Sequence, residues 1–291
     1  MKFSVIIPSF NDWERLLMCI NALDQQTLEK EQFEVIVVDN SKAGNIPSNL
    51  ILPSWVQLLH EPKPGSYAAR NKGAGNAEGE ILAFTDSDCI PKKNWLSNAQ
   101  KVFETKICDL IGGEIDIFLE DGGLKHLYIY EKHFGFRQKS RVPKGLSCTA
   151  NTLVKKSVFY EVGKFDSTLK SGGDWEFSQR CIQKGFRMEY GASVVVRHPA
   201  RKSLRTFLKK HYRHVCWNSI TARKKYQCSQ FWLLLSSLRG SSQRLFKHKP
   251  KVSTMYERLV IWYIDFIKLI IQLYGNMLIL LNLKDPYKVR E

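Results

Sequence analysis

EILAFTDSDCIP, residues 80–91, opens as an apolar run and ends on two aspartates, Asp86 and Asp88, one residue apart. A short apolar run that stops at turn-forming residues reads as a buried strand. Its end needs only one turn former, and two carboxylates this close repel each other unless a cation or extended hydrogen bonding compensates them. Taken alone, the stretch fits a solvated turn as well as a metal site.

Outward from it the chain keeps one rhythm. FSVIIP (3–8), FEVIVVD (33–39) and VQLLH (56–60) are further β-branched runs, and they alternate with amphipathic helical patterns over Asp12 to Gln26 and Tyr67 to Ala77. That alternation predicts an α/β fold with a mostly parallel central sheet flanked by helices. Ligands of such sheets bind beyond the carboxyl ends of the strands. Three of those ends carry distinctive residues: Pro8-Ser9-Phe10-Asn11, Asp39-Asn40-Ser41 and Asp86-Ser87-Asp88. After Pro91 come a helix over Asn94 to Thr105, an extended DLIGGEIDIFL, and an aromatic-rich helix over Leu124 to Gly135. Then SCTANTLVKKSVFYEVGKFD reads as strand, helix and turn, SGGDWEFSQRCIQKGF as a helix capped at its start by Asp174, and ASVVVRHP as a strand ending at His198.

At 291 residues and 44% hydrophobic content, the chain is long enough for one catalytic domain and a smaller appendage. We expect the division at 1–200 and 201–291. The seven cysteines show no C-x-x-C pair, and this wide, odd-numbered scatter favours a reduced compartment. No Cys or His cluster is visible, so zinc is not expected. The apolar run in MKFSVIIPSFND is too short for a cleaved export signal, so none is expected. The net charge of +16 is concentrated: 15 Lys or Arg and no Asp or Glu lie between Tyr190 and Tyr256. Such a segment asks for an anionic partner, membrane lipid or nucleic acid.

Order and spacing carry more than any single aspartate. VIIPSFND, VIVVDNS, PGSYAARNKGAGNAEGEILAFTDSDCIP, ANTLVKKSVFYEVGKFD and GGDWEFSQR together resemble the family 2 glycosyltransferases of the A-type fold, over Lys2 to about His198. The resemblance implies roles residue by residue. Asp39 would contact the nucleotide base and Pro8 would line its pocket; for Asp39 by itself, turn capping is an equal reading. Arg70 would lie near base and diphosphate, Asp86 would reach the ribose or the metal, and Asp88 would bind the metal. His198 would complete the metal shell, as a histidine does in some relatives, or stand as a solvated turn residue. Asp174 would be the general base, although Gly173 stands where family members have an acidic residue, which leaves Glu176 in contention. Arg180 is expected to be structural, paired with a carboxylate.

The implied reaction is inverting transfer of a sugar from a nucleotide donor, UDP-linked by expectation, to a hydroxyl of a glycan or lipid-linked glycan. Capsule, lipopolysaccharide or another surface polysaccharide would be the product. A departing diphosphate builds negative charge, which Mn²⁺ or Mg²⁺ on carboxylate oxygens neutralises. A sugar-1-phosphate nucleotidyltransferase would instead open with a Gly-rich phosphate loop, absent from IIPSFND, and a nucleic-acid binder would not direct Asp39, Asp86, Asp88 and Asp174 at a phosphate polymer. We therefore expect no nucleic-acid partner.

The carboxyl-terminal region reads as a helical, basic extension. From Ser203 to Ile220, residues Leu204, Phe207, Leu208, Tyr212, Val215 and Ile220 share a helical face, with Arg205, Lys209 and Arg213 largely off it and Trp217 and Trp232 as added aromatics. This suits a helix lying on anionic lipid, or one packed on the protein with a solvated basic face. Residues 259–283 are long enough to span a bilayer, but Asp265 and Lys268 fall near their middle, which favours packing or an in-plane position over crossing. A cytoplasmic enzyme held peripherally at the inner face of the cell membrane is the expectation.

Overall fold

The structure is a computed structural model that describes residues 2–41, 46–47, 50–213, 215 and 254–280. Two compact units divide the chain. The first holds the residues up to Asp116, Phe136–Leu169 and Gly173–Pro199; the second holds Ile117–Gly135, Lys170–Gly172 and the described residues from Ala200 onward.

Eight strands form the sheet, in chain order β1 (Phe3–Ser9), β2 (Phe33–Asp39), β3 (Val56–His60), β4 (Ile81–Thr85), β5 (Ile90–Pro91), β6 (Leu110–Phe118), β7 (Asn151–Lys155) and β8 (Met188–Pro199). They lie side by side as β3-β2-β1-β4-β7-β6-β8-β5. The parallel pairing covers β3-β2-β1-β4, and the sheet turns mixed beyond, where β7 runs antiparallel to β4 and β6, and β5 antiparallel to β8. Val, Ile and Phe side chains of β1, β2 and β4 are buried almost without exception, as expected for strands covered on both faces.

Helix α1 (Trp13–Asp24) follows β1, α2 (Ser66–Asn76) connects β3 to β4, and α3 (Trp95–Thr105) follows β5. Gly73 lets α2 press onto β1, since a Cβ there would meet Ile6 Cγ2 at 2.6 Å. Asn151 fastens the antiparallel half: its amide donates to the carbonyls of Glu114 and Val194, and its oxygen accepts from Trp95 Nε1 at 2.9 Å. The remaining helices are α4 (Lys125–Phe134), α5 (Gln138–Arg141), α6 (Lys156–Val162) and α7 (Gly173–Gln183), with a helical run at 204–213 and a last helix Met255–Leu280. Two boundaries differ from the sequence reading. Helix α7 already includes Gly173, so Asp174 sits inside its first turn rather than capping it, and β8 begins at Met188, ahead of the expected strand, where half-buried residues without a clear alternation gave no sequence signal.

The second unit has a core of its own. Leu127, Ile129 and Tyr130 of α4 pack with Phe207 and with Val260, Ile261 and Ile264 of the last helix. Phe207 is buried and Leu204 and Leu208 lean on the same cluster, while Arg205, Lys209 and Arg213 are exposed. The apolar face of 204–213 is thus engaged within the protein, which corrects the reading of that face as the lipid-facing one. Ile220, Trp217 and Trp232 lie outside the described residues. The two central charges of the last helix are also engaged: Tyr130 Oη donates to Asp265 Oδ1 at 2.6 Å and accepts from Lys268 Nζ at 2.7 Å.

Candidate active site

The sheet register aligns Ser9, Asp39 and His60 across β1, β2 and β3, so three strand ends present their last residues in one row. Asp39 is buried, and its carboxylate closes an Asx turn onto Ser41 while also facing His60. Oδ1 accepts from Ser41 N at 2.9 Å, and Oδ2 accepts from Ser41 Oγ at 2.9 Å and faces His60 Nδ1 at 3.3 Å. Asn40 beside it ties three backbone positions together, donating to the carbonyls of Glu61 and Lys63 and accepting from Gly65 N. Gly65, at φ 135°, leads directly into α2. Pro8 is half-buried on β1, one residue before the buried Ser9, whose Oγ has no hydrogen-bond partner.

The two aspartates that close β4 are compensated in different ways. Asp86 pairs with the guanidinium of Arg70, a buried residue of α2 whose Nε has no partner. Asp88 Oδ2 faces His198 Nε2 at 3.5 Å. His198 Nδ1 lies 2.7 Å from the carbonyl of Pro199, which can only accept, so Nδ1 carries the proton. In that tautomer Nε2 turns its lone pair toward the Asp88 carboxylate, an arrangement that a divalent cation would bridge. A ring nitrogen fixed by a backbone carbonyl is how metal-binding histidines are commonly oriented. The oxygen and imidazole donors fit a divalent cation. Cys89 Sγ joins them, with one ligand atom from each of Asp88, Cys89 and His198 within 4.8 Å of the others. The expectation that no Cys or His cluster exists is therefore corrected by this grouping, in which burial pushes the Cys89 thiol well above its ordinary pKa and leaves the carboxylate and imidazole as the ready donors. Sequence separation hid it, because β8 brings His198 back beside the β4 end only through the antiparallel half of the sheet. Cys89 itself is directed to the Ala150 carbonyl at 3.8 Å.

Asp174 is half-buried at the start of α7. Its Oδ1 accepts from Trp175 N at 3.0 Å and from Tyr67 Oη at 3.3 Å, and Tyr67 Oη in turn accepts from Asp174 N. Burial pushes the Asp174 carboxyl above the ordinary aspartate value, against the opposing pull of the Arg70 guanidinium and the backbone N–H groups. Glu176 is differently placed, with both oxygens engaged by Arg180, at 2.5 Å from Nε and 3.0 Å from Nη2. Arg180 also caps the Val162 and Lys164 carbonyls, the structural role expected of it.

Tyr67 is the residue that sequence reading missed. It lies in the PGSYAARN stretch between small residues, and nothing local marks it, since its partner is 107 positions away. The departure at Gly173 is explained by the same ring: a Cβ on Gly173 would meet Tyr67 Cε2 at 2.7 Å and Cζ at 2.9 Å. We expect Gly173→Ala to cost about 1–3 kcal/mol through this overlap, measured by denaturant unfolding; an unchanged midpoint would show that the ring yields freely. Tyr67 and Arg70 stand one turn apart on α2. One helix therefore holds both Asp174 and Asp86.

Comparison with known proteins finds likenesses in sequence and in fold. Residues 4–163 match the family "Glycosyl transferase family 2". Glycosyltransferase AglE of Haloferax volcanii is 33% identical over 216 residues, 72% of this chain and 70% of its own length. The pre-mycofactocin glycosyltransferase of Mycobacterium tuberculosis is 28% identical over 70% of this chain, which spans only 44% of that relative. Among solved structures, the mannosyltransferase PcManGT of Pyrobaculum calidifontis with GDP-Man and Mn²⁺ shares the fold at TM-score 0.64 and 16% identity, covering 98% of this chain and 88% of that one. S. aureus TarS 1–349 with UDP-GlcNAc does so at TM-score 0.56 and 18% identity, over 94% and 82%.

Proposed function

Because this chain belongs to glycosyl transferase family 2 and is a glycosyltransferase with the A-type fold, we propose that it catalyses inverting, metal-dependent transfer of a sugar from a UDP-linked donor to a hydroxyl of a glycan or lipid-linked glycan in surface polysaccharide biosynthesis. The observation that carries this reading is the pairing made by α2, with Arg70 on Asp86 and Tyr67 on Asp174. It supports the reading because one helix holds both a guanidinium suited to a diphosphate and a carboxylate with raised proton affinity. Asp39, with Pro8, reads the base; Arg70 and Asp86 take the diphosphate and ribose; Asp88 and His198 would hold Mn²⁺ or Mg²⁺. When bound, that cation would supply charge neutralisation to the leaving diphosphate. Asp174 takes the acceptor proton, because Glu176 is committed to Arg180. The enzyme works at the cytoplasmic face of the membrane, attached peripherally through its basic carboxyl-terminal region.

The test is a panel of sugar nucleotides, scored for protection against thermal unfolding with and without Mn²⁺. Protection by one donor, only with metal, is expected; protection by none would overturn the reading.

Two variants probe the residues that orient the site. Asp39→Ala should raise the donor KM about tenfold or more and blur discrimination between uridine and guanosine donors, since a buried carboxylate that hydrogen-bonds a base edge rejects the wrong base. Unaltered base preference would reduce Asp39 to a turn residue. Tyr67→Phe removes a donor to the Asp174 carboxylate, and such donors favour the ionised form. The acid limb of the rate profile should move to higher pH while donor affinity stays unchanged. A limb that does not move would leave Tyr67 as packing alone.

A further inference from the structure

The last helix is apolar on both its inward and its outward side. Its inward side carries Asp265 and Lys268, both joined to the Tyr130 hydroxyl, with Val260, Ile261 and Ile264 packed on α4. Its outward side carries large apolar and aromatic residues in an unbroken row from Met255 to Met277, each between 44% and 72% exposed. Leu259, Trp262, Tyr263, Phe266, Ile270 and Tyr274 follow the three- and four-residue spacing of one face, and Arg258 is the charged side chain exposed among them. At 1.5 Å per residue the row runs for about 33 Å. Monomeric soluble proteins rarely leave a contiguous apolar strip of that extent bare.

We propose that this face is the surface by which the second unit lies in the headgroup layer of an anionic bilayer. The inference rests on the peripheral-membrane reading above and names the surface that serves it. Three observations commit the face to lipid. First, it is rich in Trp and Tyr, whose rings are apolar and whose Nε1 or Oη is polar, the combination favoured at the membrane interface. Second, the acid-free segment with 15 Lys or Arg runs straight into the helix, its last basic residues Lys247, Lys249 and Lys251 coming just before Met255. Basic clusters beside an interfacial helix draw it to anionic headgroups. Third, Met255–Leu278 is long and apolar enough to cross a membrane, yet its two central charges are held by α4, so the helix lies along α4 with its other side uncovered among the described residues. A helix so held presents a stripe to lipid, as interfacial helices do.

The experiment is flotation of the full chain with vesicles of phosphatidylcholine alone, or of equal parts phosphatidylcholine and phosphatidylglycerol, at low and high salt. The wild type should float with the mixed vesicles at low salt and be released by high salt. The double variant Trp262→Ser/Phe266→Ser should lose at least about tenfold in partitioning, and Leu259→Ser/Ile270→Ser should do the same while melting like the wild type. Ile107→Ser, at a still more exposed apolar residue of the first unit, should leave partitioning unchanged. Donor turnover should survive in all of them. If both double variants float like the wild type, the face is wrong and the membrane reading stands. If the wild type ignores anionic vesicles but sediments as a dimer that the variants dissociate, the face joins two copies and both statements fall. Resistance to high salt and alkaline carbonate would overturn the in-plane position in favour of a crossing.

Discussion

Asp174→Asn is expected to lower kcat by about 10²–10⁴-fold with the donor's affinity intact, because it removes a general base and keeps the polar contacts to Tyr67 and Trp175. The pH dependence gives the sign. A base acts when deprotonated, so the rate climbs as pH rises through the pKa of Asp174, and burial places that pKa above the usual aspartate range. The acid limb should therefore lie higher in pH than an exposed aspartate would give, and the Asn variant should lose it. Donor binding by calorimetry, set beside turnover, checks both halves. Wild-type turnover in the variant would move the proton to another group.

Asp88→Asn should be as damaging by a different route. Asn keeps the size of the side chain and its carbonyl oxygen but loses the charge that faces His198 across 3.5 Å. Metal-dependent thermal protection by donor should disappear, and transfer should fall by about 10³-fold, the scale of losing electrostatic stabilisation at a departing charged group. The fold should survive, because Asp88 sits in a turn after β4 outside the buried ladder. Chelator should bring the wild type to the level of the variant. Full activity in excess chelator would remove the cation from the mechanism.

Both predictions rest on residues that could be named before any coordinates. Asp39, Asp86 and Asp88 declare themselves because they break apolar runs where strands must end, and a strand end is a local event. What was hidden is whatever needed two distant segments at once. Tyr67 meets Asp174 across 107 residues, and Tyr130 meets Asp265 across 135. Direction within the sheet was hidden as well: ANTLVKK has the same burial whether it runs with β4 or against it, and only the register decides. The basic helix misled for a related reason. An apolar face at helical spacing looks the same whether it meets lipid or α4, and Phe207 found α4.

Tyr130 has a practical consequence. Cutting the chain before Met255 is an obvious way to seek a better-behaved protein, since it removes an exposed greasy stripe. The cut would also take away Val260, Ile261 and Ile264, and leave Leu127, Tyr130 and Phe207 facing water. One sticky surface would be exchanged for another that no membrane relieves, and the shortened protein should aggregate more readily than its parent. Solubility is better sought by changing side chains on the outer row.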